Sequence, residues 1–342
     1  MSRPTIKDLA REAGVSVATV NRVISGAESV RQSTREIVLN AAENIGFYGL
    51  GTIESSVFQG RETHRLAILL QQGHRVFYRG LGNALLRAAE AYAGANISLE
   101  LEYLDDLSPD HVASRITALG QTSESLGVVA AEHPMVSDAI TALMESGVPV
   151  SALIGPLSAR GNVGYIGHDN WKKGRMAGWA FHKCCPKPGK IGILLGNHRY
   201  RNQEINESGF RSYFREHNSD FVLLEPLPTF ESAAVAREMT EKLFQEHPDM
   251  CGLFVSGGGI TGALAALREH KPEEGFVCVA YELFDATRAA LIDGTITMTL
   301  SYPLECFARQ IIETMVKAKK AGPEAGAQRV NIPFDVHTSE NV

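Results

Sequence analysis

No stretch of the 342 residues approaches eighteen consecutive apolar positions, so no membrane-spanning helix and no membrane partner are expected. The opening MSRPTIKDLAREAGV has no apolar segment behind its first basic residue, so a secretory leader is not expected either. Cysteine is scarce: Cys184, Cys185, Cys251, Cys278 and Cys306, an odd number without a CxxC pair. That usage points to a reducing, cytoplasmic compartment with the thiols as small core residues. The chain contains no GxSxG, no HExxH and no cysteine or histidine set at metal spacing. Catalysis, metal and cofactor are therefore not expected. Basic charge is also in deficit, the formal net charge being −6. What is present is an ordinary globular composition, 44% hydrophobic and 21% charged, long enough for two or three domains.

The charge is unevenly placed. Residues 1–35 hold Arg3, Lys7, Arg11, Arg22, Arg31 and Arg35 against Asp8, Glu12 and Glu28, a balance of +3 that leaves −9 on the remainder. A small basic module on an acidic body suits a tip that meets phosphate while the rest is repelled. Within it, Thr5-Ile6-Lys7-Asp8 reads as an N-cap with an acid three residues on. Ile6, Leu9 and Ala10 share one face, and Gly14 ends the helix. Ser16 caps a second helix whose inward residues are Val20, Val23 and Ile24, and a third runs from about Gln32 to Asn44, burying Ile37, Val38, Ala41 and Ile45. Three short helices with a glycine turn between the first two make a helix-turn-helix. Its second helix would read the major groove: Val17 and Ala18 offer apolar contact to a thymine methyl, and Arg22 can bond a guanine bidentately. Thr5, Ser16, Thr19 and Asn21 are short donors suited to phosphate.

TIKDLAREAGVSVATVNRVISG, followed by REIVLNAAENIGF, resembles the N-terminal signature of the LacI/GalR family of transcription regulators, with Asn21 where the family commonly has serine. The resemblance implies a repressor that binds a pseudo-palindromic operator as a homodimer under control of a small-molecule effector. It also implies a hinge helix after Phe47 that inserts an apolar wedge into the minor groove. YGLGTIESSVFQG departs from the family's hinge: Ser56 stands where ungapped counting puts the wedge leucine, leaving Val57 or Ile53 for that role. Gly49, Gly51, Gly60 and Glu54 weaken a helix lying near phosphate.

Beyond the hinge, apolar strand runs alternate with helical segments, beginning at RLAILLQ and closing near RVNIPF. The pattern predicts a doubly wound α/β body of two lobes, ligands binding beyond the strand C-termini. The expected fold class is thus an all-α helix-turn-helix plus a two-lobed, type-I periplasmic-binding-protein-like sensor. The expected division is 1–47, a hinge 48–62, and a body 63–342. By the resemblance, lobe 1 takes about 63–164 and 293–325 and lobe 2 about 165–292 and 326–342, with crossings near 165, 292 and 326. Candidate effector residues are Phe77, Tyr78, His133, Asp169, Asn170, Glu204, Ser256, Gly257, Glu282 and Tyr302. Phe77-Tyr78 can stack on a sugar or base face, or pack as core aromatics at a helix start. Asp169 can accept from ligand hydroxyls or cap the next helix. Several positions depart from family ligand readers, notably Glu204, Ser256-Gly257 and Glu282. The acids with His133 suit a polyol or a cationic metabolite, whereas His198, Arg199 and Arg201 suit a carboxylate; a sugar-like or polyol effector is expected.

One motif favours an enzyme. Gly257-x-Gly259-x-x-Gly262 follows an apolar strand, opens a helix, and precedes Glu282 by twenty residues, matching a dinucleotide fingerprint. An NAD-dependent oxidoreductase is accordingly the alternative, weakened because a DNA-reading module and at least six strands precede the motif. A transport binding protein shares the body but needs a leader and has no helix-turn-helix.

Overall fold

The structure, a computed structural model, describes residues 3–27, 29–59, 61–217, 220–322 and 326–342. Gly60 lies outside the described residues. The chain forms two compact units, Met1–His64 with Ala89–Ser98, and Arg65–Ala88 with Leu99–Val342. The boundary expected between 62 and 63 thus falls between 64 and 65, and a ten-residue segment of the body joins the first unit.

The first unit contains α1 (Ile6–Glu12), α2 (Val17–Ile24), α3 (Gln32–Ile45) and α4 (Leu50–Gln59). Thr5 and Asp8 form a capping box on α1, Ser16 accepts from the Thr19 amide to cap α2, and Gly46 ends α3 in the left-handed conformation at φ 63°. Leu9, Val20, Val23, Val38, Ala41 and Phe47 make the core. Val38 and Ala41 are buried as expected, whereas Ile37, also expected inside, is 50% exposed. The larger correction concerns the hinge. Ile53 and Val57 are fully buried in the same core as Leu9 and Val20, so neither is displayed as a wedge. Burying two such side chains stabilises this arrangement by about 1.5–3 kcal/mol each.

Arg35 fixes α4 against the rest. Its guanidinium, 4% exposed, donates from Nη1 to the Ser56 carbonyl at 3.0 Å and to the Ser56 hydroxyl. It also donates from Nε to the Val30 carbonyl at 3.2 Å and from Nη2 to the Ala27 carbonyl. Gln32 adds a bond to the Val57 carbonyl at 3.3 Å. Ser56, at the position of the family's wedge, is buried and spent on Arg35.

The second unit is built on two sheets. The first has the order β2-β1-β3-β4-β5-β12: β1 (Thr63–Gln71), β2 (Asn96–Leu104), β3 (Ser125–Val128), β4 (Val150–Leu153), β5 (Gly164–His168) and β12 (Arg329–Ile332). Helices α5 (Val76–Glu90), α6 (Pro109–Thr122) and α7 (Pro134–Glu145) connect its first strands. The second has the order β7-β6-β9-β10-β11-β13: β6 (Lys190–Leu195), β7 (Val222–Leu223), β9 (Met250–Val255), β10 (Val277–Tyr281), β11 (Met298–Ser301) and β13 (Asp335–His337), with β8 (Leu227–Pro228) also on β6. Its connecting helices are α8 (Asn170–Cys184), α9 (Arg201–Glu216), α10 (Ala233–Glu246), α11 (Ile260–His270) and α12 (Asp285–Ile292). Helix α13 (Leu304–Ala321) returns to the first sheet, packing on β3, β5 and β12. FVLLEPL, expected as one strand, breaks into β7 and β8 at Pro226, which lacks the amide donor a continuous ladder requires.

The chain changes lobes after β5, after β11 and between β12 and β13. The crossings expected near 165, 292 and 326 therefore lie several residues later, near 169, 302 and 333. GYIGH must finish its parallel register with β4 before the chain can leave, and Met298–Ser301 pairs with β10 rather than with the first sheet. Both sheets bury apolar faces, with Phe210, Phe254 and Val279 on one side of the second and Leu253, Leu264 and Cys278 on the other.

Candidate nucleic-acid interface and ligand cleft

On α2 the hydrophobic period leaves one face free. Val17 is 40% exposed, and Ala18, Asn21 and Arg22 are exposed beside it, while Val20 and Val23 hold the opposite face in the core. Ser16 Oγ lies 2.9 Å from Thr19 Oγ1, so two of the expected phosphate donors sit together at the positive end of the helix. Thr5 is exposed and donates its hydroxyl to Asp8 at 2.7 Å, which holds the Asp8 carboxyl below the usual carboxylate range. Seven of the nine expected DNA-reading residues thus lie on the surface of one small module. Ile53 and Val57 do not.

The second unit contains a cleft of about 520 Å³ at the C-terminal ends of the strands, where α/β sheets bind ligands. Gln71 ends β1, Ile154 follows β4, Ser256 follows β9, Glu282 follows β10 and Tyr302 follows β11, so both lobes contribute. A smaller cavity of about 290 Å³ opens at the opposite ends, beside Pro149 and Gly164 at the starts of β4 and β5.

Of the ten expected effector residues, Phe77, Tyr78, Asn170, Ser256, Gly257, Glu282 and Tyr302 line the cleft. Phe77 and Tyr302 approach to 6.0 Å between ring centroids, making an aromatic wall. His133, Asp169 and Glu204 do not line it. Asp169 caps α8, accepting from the Lys172 amide at 3.1 Å, and His133 caps α7 through Nδ1. Glu204 points outward because one helical residue is a 100° turn: Gln203 and Asn206, at i and i+3, are the buried residues of α9 that face the cleft.

Sequence reasoning missed the strongest groups. Lys173, 3% exposed, places its Nζ 3.5 Å from a Glu282 carboxylate oxygen and 4.1 Å from the centroid of the Tyr281 ring. Burial pushes the Lys173 ammonium below and the Glu282 carboxyl above their ordinary values, each only partly restrained by the other. Arg75 and Glu231 form a second pair at 2.9 Å, and Tyr200 donates its hydroxyl to Gln71 at 2.8 Å. The signal available for Lys173 was its helical phase with Asn170. Glu231 carried none, since its position depends on a backbone turn. Polar atoms remain unused: Asn206 Oδ1 has no hydrogen-bond partner among the described residues, and the Ser256 and Tyr281 hydroxyls have none beyond each other.

Residues 68–323 match the profile of a periplasmic binding protein domain, and residues 5–49 match bacterial regulatory proteins of the lacI family. The chain belongs to the periplasmic-binding-protein domain family and carries a lacI-family regulatory domain at residues 5–49. Its LacI-type domain is similar to the sucrose operon repressor of Escherichia coli, 43% identical over 67 residues, 20% of each chain. Similarity to the catabolite control protein A of Priestia megaterium is 30% over 131 residues, 35% of this chain and 38% of that one. The chain thus matches between a fifth and two-fifths of the length of these relatives. Among solved structures, GanP, a glucose-galactose binding protein from Geobacillus stearothermophilus, superposes with a TM-score of 0.74 at 15% identity, over 82% of this chain and 99% of that one. A solute-binding protein from Actinobacillus succinogenes with bound D-allose gives 0.73 at 16% identity, over 81% and 98%. Those likenesses establish the fold.

In this chain the glycine fingerprint has a packing explanation, and the oxidoreductase alternative is not supported. A Cβ on Gly257 would lie 2.2 Å from the Gly196 amide nitrogen, and one on Gly262 would lie 1.7 Å from the Ala233 carbonyl. The glycines admit neighbouring backbone rather than a pyrophosphate. Glu282, the expected ribose partner, is held by Lys173 and accepts from the Tyr302 amide at 3.3 Å.

Proposed function

We propose that this protein is a sequence-specific transcriptional repressor that binds operator DNA as a homodimer in the cytoplasm and is controlled by a small polyhydroxylated effector held in the cleft. The observation that carries the DNA assignment is the free face of α2, where Val17, Ala18, Asn21 and Arg22 stand exposed behind the Ser16 cap. The effector class follows from the cleft's chemistry. Arg75 balances Glu231 and Lys173 balances Glu282, so the wall presents no uncompensated charge to attract an ion. It presents instead an aromatic face, the unpartnered Asn206 Oδ1 and the Ser256–Tyr281 hydroxyl pair, which suit ring faces and hydroxyls of a sugar or polyol. The glucose-galactose binding of GanP and the D-allose bound in the Actinobacillus succinogenes protein are in keeping with that class.

Two measurements test it. Selection of the purified chain against a randomised duplex library is expected to return a pseudo-palindrome; recovery of no preferred sequence contradicts the DNA assignment. A thermal-shift panel of neutral sugars, polyols, sugar acids and sugar phosphates is expected to raise the melting point with a neutral member, because a ligand that binds only the folded state stabilises it. A shift confined to anionic compounds contradicts the effector class.

A further inference from the structure

Three separate features place one carboxylate. Phe230 and Glu231 both adopt left-handed backbone, at φ 49° and 61°, a conformation costly to a non-glycine residue that persists where the surroundings over-determine it. Gly196 and Gly258 leave room for the result: a Cβ on the first would lie 1.8 Å from Glu231 Oε1, and one on the second 2.0 Å from Oε2. The carboxylate so seated accepts from Gln203 Nε2 at 2.7 Å and meets Arg75 Nη1 at 2.9 Å. Arg75 follows β1 and belongs to the first lobe; Glu231 follows β8 and belongs to the second.

We propose that Arg75 and Glu231 are an ion latch between the lobes, which holds the cleft closed before a ligand arrives and thereby sets how much of the ligand's binding energy is left to act on the lobes. The side chains are 27% and 11% exposed, so solvent weakens their attraction far less than on an open surface. The strained turn and the two glycines together deliver Glu231 to Gln203 and Arg75. As a positioning pair it differs from Lys173–Glu282, whose members both lie in the second lobe. The consequence for ligand response rests on the effector reading above, but the closure itself does not.

The test therefore uses no ligand. Amide hydrogen exchange of the full chain is followed by mass spectrometry in Arg75→Met, Glu231→Gln and the double variant. Glu231→Gln keeps the side chain's shape and its contact with Gln203. Each single change is expected to speed exchange about tenfold in the cleft segments 72–80 and 256–262, with the interior of β6 and β9 unchanged. The double variant is expected to match the singles, because one pair is lost in all three. Unchanged exchange in both singles would overturn the latch, as would additive effects or loosening spread equally into β6 and β9. Failure of every compound in the thermal-shift panel would strike the effector reading and leave this result standing.

Discussion

Lys173 and Glu282 are opposite charges that burial opposes, and their titration carries a sign. The folded Glu282 carboxyl is raised above its ordinary 4.5, so its contribution to stability is greatest below that value and is lost as pH rises through the folded pKa. Lys173 is lowered from 10.5, so its contribution is present above that value and is lost as pH falls through the folded pKa. At neutral pH each charge depends on the other. Lys173→Met alone is expected to cost about 3 kcal/mol in denaturant unfolding at pH 7, by leaving Glu282 uncompensated, whereas Lys173→Met with Glu282→Gln recovers most of it. A single variant as stable as the parent would show the pair to be solvated. Such pairs explain what was and was not legible one residue at a time. Thr5, Ser16 and the α2 face were legible because capping and helical period are local properties. Asp169, for which cap and ligand reader were both open, caps α8, and His133 caps α7, because the two roles draw on the same side-chain chemistry. Glu204 came from the family resemblance, and its neighbour Gln203 faces the cleft instead because one residue turns a helix by 100°.

Among the elements, α4 departs furthest from expectation. The family resemblance implied a hinge that shows an apolar side chain; the chain instead turns Ile53 and Val57 inward and binds Ser56 to Arg35. This was partly legible, since Ser56 already occupied the wedge position, but the reach of Arg35 across 21 residues was not. Arg35→Met is expected to lower the stability of the DNA-binding module by about 2–3 kcal/mol, because it strips charge-assisted bonds from four oxygens, two of them buried, and to expose the amides of 53–57 to exchange before those of α1. Unaltered protection in α4 would mean that the apolar contacts of Ile53 and Val57 hold it alone. On the same module, Arg22→Ala is expected to weaken binding to a selected duplex by about 1–3 kcal/mol and to relax preference at one base pair. A footprint identical to the parent's would remove Arg22 from base reading. Alternating strands and helices were legible as two lobes. The crossing points were displaced because strand register, which depends on a partner far away in sequence, decides where each lobe ends.

For the whole molecule, a residue balance of +3 over the first 35 positions and −9 over the rest divides labour between phosphate contact and ligand contact. Affinity for DNA is expected to fall linearly in log–log form with salt, with a slope of about −0.9 per phosphate neutralised. A flat response would exclude backbone contacts as the source of affinity. Ligand and DNA communicate only so far as the ligand prefers one of two states, a coupling of about 1–3 kcal/mol in comparable systems. The most direct test of the account is therefore one titration: full-length protein against its selected duplex, followed by fluorescence anisotropy, with and without the compound that gives the largest thermal shift. The account predicts sequence-specific binding whose Kd moves about 5- to 150-fold with the compound present, and no movement in Lys173→Met. Binding that ignores both duplex sequence and compound would contradict it.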